Sequence, residues 1–295
     1  MYFNSNTIVF KDGEFLKAED SSVSLYEQTL HYGNGVFEGI RAYNTEDGVR
    51  IFKAKEHYDR LHYSADMMHL NLPYSSEELE QITYQLLEKN NLSDAYIRPL
   101  VYQAPNMSLT SASESHLVIM VWEWGKYLGD QKLKVMLSTY QRPNPKSCHV
   151  EAKVVGHYTN SILATNEAKS KGFDEALLTD LNGYVAEGPG ANFFFEKDET
   201  LVTAPLGNIL AGITRQTVLE LAQELGVKVE ERHFKPEEIY AADTAFFCGT
   251  AAEIVEIGQF NDHVFNVNWE DTMSAMLQRK YKRRVAHNEF QNVYM

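Results

Sequence analysis

Residues 212–226 read GITRQTVLELAQELG, and this stretch is the clearest helix signal in the chain. Four apolar residues recur within it at helical spacing and would form one buried face: Val218, Leu221, Ala222 and Leu225. Thr214 is the predicted N-cap, and Gly226 is a natural C-terminal stop. Because the first N–H groups of a helix have no partner within it, the Gly212 end is a candidate phosphate site.

A second short turn follows a buried strand later in the chain. Residues 245–248 are apolar and predict that strand, and GTAAE at 249–253 predicts the turn after it. Thr250 adds a hydroxyl to the backbone N–H groups of such a turn. The two turns could bind one phosphate from two sides, although each alone is also typical of an ordinary helix cap or loop.

Lys153 lies in an apolar setting, EAKVV at 151–155. If this segment is extended, alternation directs Lys153 away from Ala152 and Val154. A lysine in a desolvated site has a lowered pKa and can act as an amine nucleophile. The alternative is a lysine whose alkyl stem covers the edge of a strand while its amine stays in water.

Glu187 opens the glycine-rich turn EGPGAN at 187–192, directly before three phenylalanines. A carboxylate at this position could reach a buried partner, or it could simply belong to the turn. No helix-borne pair of histidines and no Cys-x-x-Cys motif suggests a metal enzyme, and we predict no metal ligand.

Periodicity and turn residues predict further elements along the chain. Ser75 and Glu78 indicate a capping box before the second predicted helix. The predicted helices and strands are a hairpin over 7–15 with its turn at Asp12-Gly13, helices at 55–69 and 76–90, and strands at 96–98, 117–122, 133–140 and 176–180.

Length and composition limit the class of protein. A chain of 295 residues exceeds the usual size of a single core, so we expect two domains. We predict a smaller α+β domain over 1–125, a linker over 126–132 and a larger cofactor-binding domain over 133–295. The net charge of −14 argues against nucleic acid or a membrane as a partner, since both need basic surface. Two distant cysteines and no N-terminal leader favour a cytoplasmic protein.

Several segments, in order over about residues 5–260, resemble the branched-chain amino-acid aminotransferases, which are class IV pyridoxal-phosphate-dependent enzymes of fold type IV. Any one segment is weak evidence, but the ordered set is specific. The segments are LHYG (30–33), VFEGIR (36–41), EHYDRL (56–61), AYIRP (95–99), WGKYLG (124–129), AK (152–153), NGYVAEG (182–188), GITR (212–215) and GTAAEI (249–254).

This resemblance implies an α+β fold like that of D-amino-acid aminotransferase, with the larger domain built as a pseudo-barrel and pyridoxal 5'-phosphate held between the two domains. Lys153 would form the Schiff base and shuttle the proton. Glu187 would face the pyridine nitrogen and Tyr158 the phenolic oxygen. The implied reaction is ping-pong amino transfer between leucine, isoleucine or valine and 2-oxoglutarate.

The remaining implied site residues fall into two groups. Those near the cofactor and its phosphate would be Arg60, Leu210, Ile213, Thr214 and Thr250. Those around the substrate would be Tyr32, Phe37, Gly39, Tyr96, Arg98, Trp124, Tyr127, Thr250 and Ala251. Family members also complete each site with a loop from a neighbouring subunit, which implies a homodimer or a higher homo-oligomer.

The chain departs from the family pattern in two places. Residues 154–157 read VVGH where small residues and an asparagine are usual, and the loop at 104–108 lacks its glycine-rich form. Both departures bear on substrate preference.

Three alternatives stay open. A D-amino-acid aminotransferase would carry an Arg-x-His element, and residues 99–110 contain neither Arg nor His. An aminodeoxychorismate lyase is not expected to combine Tyr96-x-Arg98 with GTAA at 249–252. A non-catalytic metabolite-binding relative is disfavoured because the residues implied for catalysis are all retained.

Overall fold

The computed structural model describes residues 2–110, 114–123 and 131–286. These residues form two compact units. The first holds the described residues up to 123 together with Ala152–His157, and the second holds 131–151 and 158–286. Lys153 therefore belongs to the first unit, although the chain just before and after its segment belongs to the second. Residues 126–130 of the predicted linker lie outside the described residues.

The described part of the first unit contains one sheet of seven strands. They are β1 (Ile8–Lys11), β2 (Glu14–Lys17), β3 (Gly35–Phe37), β4 (Ile40–Thr45), β5 (Gly48–Ile51), β6 (Ala95–Gln103) and β7 (Ser115–Trp122). Their spatial order is β2-β1-β7-β6-β4-β5 with β3 on β6, and every pair is antiparallel. The predicted hairpin is confirmed, since Asp12 and Gly13 both take the positive φ that its tight turn requires.

The described part of the first unit also contains three α-helices. They are α1 (Gln28–Tyr32), α2 (Ala54–Met67) and α3 (Ser76–Lys89). The predicted capping box is confirmed, because Ser75 Oγ accepts from the Glu78 N–H and the Glu78 carboxylate accepts from the Ser75 N–H. The apolar faces of α2 and α3 pack on β6 and β7 in one core, which also buries Ala152 and Val154. The core of the first unit thus anchors both neighbours of Lys153.

The second unit contains a mixed sheet, eight-stranded within the described residues. Its strands are β8 (Leu133–Gln141), β9 (Glu175–Thr179), β10 (Asn192–Lys197), β11 (Thr200–Thr203), β12 (Lys228–Glu231), β13 (Thr244–Gly249), β14 (Glu253–Phe260) and β15 (His263–Val264). The spatial order is β12-β11-β10-β13-β14-β8-β9, with β15 on β14. The strands predicted at 133–140, 176–180 and 245–248 are confirmed.

The helices of the second unit are α4 (Tyr158–Ser170), α5 (Ile213–Glu224) and α6 (Met273–Ala286). Gly226 has a φ of 68° just beyond α5, as expected for a helix stop. The predicted N-cap is wrong, because Gly212 and not Thr214 caps α5, and no side chain accepts from the first turn. Thr214 instead lies inside that turn, so the exposed N–H groups begin two residues earlier than expected. Among the described residues, no helix is long and apolar enough to cross a membrane.

Candidate active site

The backbone of Lys153 is held in place on both sides within the first unit. Its N–H donates to Ser64 Oγ at 3.0 Å, and its carbonyl accepts from the Phe37 N–H at 3.1 Å. Ala152 and Val154 are each only 2% exposed, whereas Lys153 is half-buried. The side chains therefore alternate as predicted, and the lysine points away from the core.

The segment itself is not the strand that alternation suggested. It makes a single isolated bridge, Val36 to Val154, and then turns directly into a 3₁₀ turn at Val155–His157. Close backbone contact explains the shape, because Gly156 N–H donates to the Gly33 carbonyl at 3.1 Å. A Cβ placed on Gly33 would lie 2.8 Å from the Gly156 Cα. Because neither glycine has a side chain, the backbones at Gly33 and Gly156 approach more closely than two strands paired in a sheet would.

The ring of Phe37 contacts two cationic side chains. The Lys153 Nζ is 4.8 Å from its ring centroid, and the Arg98 guanidinium carbon is 4.6 Å from it. Arg98 also donates to the Tyr96 hydroxyl at 3.1 Å. Gly39 leaves space for that hydroxyl, since any Cβ on Gly39 would overlap it. The first unit thus brings five predicted site residues together: Phe37, Gly39, Tyr96, Arg98 and Lys153.

Arg60 is fixed by a fully buried carboxylate. Its Nε and Nη2 donate to the two oxygens of Glu38 at 2.6 and 2.9 Å, and His57 Nδ1 lies 2.7 Å from the same group. Burial alone would raise the pKa of Glu38, but the Arg60 charge, with hydrogen bonds from Arg60 and His57, holds it well below its usual range. The pKa of His57 is lowered, chiefly because burial disfavours its charged form. Glu38 is therefore ionised, and the neutral imidazole donates to it.

Three further predicted substrate residues are Tyr32, Trp124 and Tyr127. Tyr32 ends α1, is 49% exposed and donates from its hydroxyl to the Met107 carbonyl at 3.3 Å. Trp124 and Tyr127 fall outside the described residues, so their placement stays a prediction.

Glu187 lies in the second unit, where its carboxylate is almost completely buried. One oxygen accepts from the Leu210 N–H at 3.1 Å, and the other accepts from Asn192 Nδ2 at 2.9 Å. The Arg142 Nε is 2.9 Å from the first oxygen, although its N–H is not aligned for a hydrogen bond. A buried carboxylate with a nearby cation and two aligned donors keeps a fixed orientation.

Three turns meet near the first residue of β10. Gly212, where α5 begins, packs so closely on Asn192 that a Cβ at Gly212 would overlap the Asn192 side-chain oxygen. The turn after β13 lies beside the glycine-rich turn, since a Cβ on Gly249 would be 3.2 Å from the Gly190 carbonyl. Strand pairing places Asn192 opposite Cys248, at the same end of the sheet as Thr250 and Ala251. The two predicted phosphate turns thus lie at the same end of the second unit's sheet, where β10 begins and β13 ends.

Tyr158 is the first residue of α4. Ser161, one helical turn later, donates to the Pro189 carbonyl at 2.6 Å. Residues three apart share a helix face, so Tyr158 lies on the side of α4 that meets the glycine-rich turn. The second unit therefore brings Tyr158, Glu187, Leu210, Ile213, Thr214, Thr250 and Ala251 to neighbouring turns.

The sequence analysis did not identify the residues that hold the predicted site residues in place. Glu38, His57, Arg142 and Asn192 were not predicted as site residues, although three of the four lie within or beside quoted motifs. A charged residue inside an apolar run is a usable signal for Glu38, which follows Val36 and Phe37 directly. Arg142 gave no signal, because its partner lies 45 positions away in the chain and the pair is visible only in three dimensions.

Comparison with known proteins places this geometry in a family. The family model for amino-transferase class IV matches residues 35–260. A branched-chain-amino-acid aminotransferase of Pseudomonas aeruginosa is 41% identical over 280 residues, covering 93% of this chain and 91% of that protein. The chain belongs to the class IV aminotransferases.

Solved structures narrow the resemblance further. A branched-chain aminotransferase of Thermoproteus uzoniensis, crystallised with norvaline, superposes with a TM-score of 0.91 at 36% identity and covers 95% of this chain and 94% of that one. A branched-chain amino acid aminotransferase of T.th., complexed with N-(5'-phosphopyridoxyl)-L-glutamate, has a TM-score of 0.91 at 32% identity, covering 97% of both chains. The predicted family and the two-domain α+β fold type IV are confirmed, and neither the D-amino-acid aminotransferase nor the lyase alternative is favoured.

Proposed function

We propose that this chain catalyses reversible amino transfer between branched-chain L-amino acids and 2-oxoglutarate with pyridoxal 5'-phosphate as cofactor. The relatives named above support the reaction and the substrate class. The observation that carries the proposal is the setting of Lys153, whose backbone is fixed in a core while its amine lies against the Phe37 ring. A lysine held this way can act as both nucleophile and proton carrier.

The residues of the second unit fit the cofactor at both of its ends. The free N–H groups after Gly212 and the positive end of the α5 dipole suit a phosphate, and the turn at Thr250 adds a hydroxyl. The buried Glu187 carboxylate suits a protonated ring nitrogen, which would add a cationic donor to the two N–H groups already bound. When bound, pyridoxal phosphate supplies a pyridinium ring that draws electrons from the α-carbon of the attached amino acid.

The remaining steps belong to side chains of this protein. With the cofactor bound, the Lys153 amine would hold it and would move the proton to and from the α-carbon of the amino acid. Glu187 would keep the ring nitrogen protonated, and Tyr158 would serve the phenolic oxygen. Ile213 and Thr214 would hold the phosphate, and Arg60, oriented by Glu38, would supply a cation for it. Leu210 contributes the N–H that fixes Glu187.

Substrate binding is assigned to the aromatic cluster of the first unit and its neighbours. Phe37 and Tyr96 give the apolar contact that branched side chains need, at about 0.8 kcal/mol for each buried methylene. Arg98, already bound to the Tyr96 hydroxyl, binds the distal carboxylate of glutamate. The proposed substrate site also includes Tyr32, Gly39, Trp124, Tyr127, Thr250 and Ala251.

We also infer a cytoplasmic homodimer. An apolar surface supports the dimer: Val23, Leu25, Tyr26, Leu30, Tyr32, Met107 and Leu109 are all exposed. Two hydrogen bonds join the segments that carry it, from Asn106 N–H to the Tyr26 carbonyl and from Tyr32 to Met107. We call this set the 23–32/107–109 surface. Exposed apolar side chains gathered on two hydrogen-bonded segments are typical of a subunit interface.

The test is transamination of leucine with 2-oxoglutarate, measured as glutamate formed, for the wild type, Lys153→Ala and Lys146→Ala. Lys146 is an exposed lysine of the preceding loop and serves as the matched control. We expect Lys153→Ala to lose at least about a thousandfold in kcat, as removal of a covalent nucleophile does, and Lys146→Ala to keep wild-type activity. A wild type that binds pyridoxal phosphate without turnover would favour the metabolite-binding alternative. Wild-type rates in Lys153→Ala would disprove the assignment of the lysine.

A further inference from the structure

Asn192 occupies a position between the two ends of the proposed cofactor site. It is the first residue of β10, is 4% exposed, and forms an isolated bridge with Glu187 across the glycine-rich turn. Its Nδ2 donates to the Glu187 carboxylate at 2.9 Å and to the Leu210 carbonyl at 3.0 Å. One amide group thus touches both the carboxylate and the chain that leads into α5.

The orientation of this amide follows from its partners. Both groups bound by Nδ2 are acceptors, so only the NH₂ side of the amide can face them. The amide oxygen consequently faces Gly212, which must be glycine because a Cβ there would overlap that oxygen. The side chain is therefore clamped between Glu187, Leu210 and Gly212.

Leu210 closes the network. Its N–H donates to one oxygen of Glu187, while its carbonyl accepts from the amide that binds the other oxygen. Removing Asn192 would leave both a carboxylate oxygen and a carbonyl oxygen buried without this donor. Such a loss allows the Glu187 carboxylate to rotate and the start of α5 to shift, because each was held by the same group.

We propose that Asn192 is a positioning residue that fixes the separation between Glu187 and the N-terminus of α5. This inference rests on the proposed function, in which these two groups bind the ring nitrogen and the phosphate of one rigid cofactor. A rigid ligand bound at two points loses affinity when the spacing of the points is no longer fixed. Asn192 thus determines cofactor affinity and touches no reacting atom.

The first experiment measures the dissociation constant of pyridoxal 5'-phosphate for the full-length chain by absorbance titration, in the wild type and in Asn192→Ala. Hydrogen bonds to charged groups are worth about 1.5–3 kcal/mol, so the constant should rise about ten- to a hundredfold. The titration is repeated with pyridoxal, which lacks the phosphate. The advantage of the phosphorylated form over pyridoxal should shrink in the variant, because the start of α5 is no longer aligned with Glu187.

The matched control is Thr203→Val. Thr203 is fully buried on β11 and donates to the carbonyl of Phe193 at 2.7 Å, so its bond supports the backbone of the residue after Asn192 and is not one of the bonds among Glu187, Asn192 and Leu210. The Thr203→Val variant therefore loses a buried hydrogen bond of the same sheet and some stability, but keeps the separation between Glu187 and the N-terminus of α5. We expect its dissociation constants for both forms of the cofactor to stay within about twofold of the wild type.

The second experiment uses Asn192→Asp, which is nearly isosteric and covers the case in which the alanine variant does not fold. The new carboxyl group cannot donate and repels Glu187 when it is ionised, whereas it can donate again when it is protonated. The other charged or titratable groups around this position are Arg142, Arg215 and Cys248, and burial raises the pKa of the Cys248 thiol and keeps it neutral. The affinity of Asn192→Asp relative to the wild type should therefore recover as the pH falls from about 8 to about 6.

The outcomes separate this inference from the proposed function. If the wild type binds no pyridoxal phosphate, the proposed function fails. If the wild type binds and turns over while Asn192 variants match Thr203→Val, Asn192 has only a structural role and the inference is overturned. A relative affinity of Asn192→Asp that does not change with pH would overturn it as well.

Discussion

Glu38 is a single residue whose charge state links the stability of the first unit to pH. Its carboxylate is wholly buried and bound by Arg60 and His57. In the unfolded chain this group takes up a proton near its ordinary pKa of 4.5, whereas in the folded protein its pKa is well below the usual range. The unfolded state therefore binds more protons as pH falls below 4.5, and the contribution of Glu38 to stability is lost in that direction.

Glu38→Gln should lower the free energy of unfolding at pH 7 by about 3–5 kcal/mol, because it removes the buried carboxylate that compensates the Arg60 charge. The difference from the wild type should narrow below pH 4.5, since the glutamine variant lacks the titrating group. Urea unfolding at about pH 7 and about pH 4 measures both effects. Glu19→Gln, which removes only an exposed ion pair with Lys17, should change stability by less than about 1 kcal/mol at either pH. A constant difference between Glu38→Gln and the wild type would contradict the prediction.

Which single residues could be predicted depended on their neighbours in sequence. Lys153 stands out among apolar residues, and Glu187 stands out before three phenylalanines, so both were found from local context. Their burial and alternation follow from the flanking side chains. Asn192 looked like an ordinary turn residue, because its importance comes from Leu210 and Gly212, about twenty positions away.

The junction between the end of α1 and the lysine segment is decided by two glycines. Gly33 has a φ of 72° and closes α1, and its carbonyl binds the Gly156 N–H. A side chain at Gly33 would therefore meet two penalties, the left-handed backbone and a collision with Gly156. The collision would displace the segment that carries Lys153.

Gly33→Ala should accordingly be more harmful than Gly226→Ala. Gly226 follows α5 with a similar φ of 68°, but a Cβ there would meet nothing within 4 Å. The left-handed conformation costs roughly 1–2 kcal/mol in both variants, and the collision adds to it only at Gly33. Urea unfolding and kcat should show the larger loss of stability, and a fall in kcat, only for Gly33→Ala. Equal losses in the two variants would show that the contact with Gly156 does not matter.

Helices and the lysine segment differ in how far the sequence predicts them. α3 and α5 were predicted within one or two residues, because periodic apolar residues and capping or stop residues mark them locally. The N-cap of α5 was misassigned, since a hydroxyl residue is the usual cap and glycine is the weaker signal. Alternation indicated the direction of the Lys153 side chain, but the turn that follows it depends on Gly33, which no local pattern could reveal.

At the scale of the whole molecule, the proposed dimer depends on the 23–32/107–109 surface. Leu30→Asp places a charge on this surface, and burying an unpaired charge in an interface costs about 2–5 kcal/mol. Sedimentation at assay concentration should show a shift of Leu30→Asp to lower mass. Leu206→Asp, at a similarly exposed leucine of the second unit, should keep the wild-type mass. A wild type that sediments as an active monomer would refute the dimer itself.

The grouping of Ala152–His157 with the first unit also has a consequence for how the protein is made. The rest of the first unit's core ends at Val121, about 30 residues earlier in synthesis, and at roughly 5–20 residues per second the ribosome needs seconds to reach Val154. Until then the nascent first unit lacks two buried side chains and the backbone that Phe37 and Gly33 bind. Lys153 is thus carried by the last piece of that core to be translated, and a chain interrupted before that piece would lack both the proposed nucleophile and part of the core.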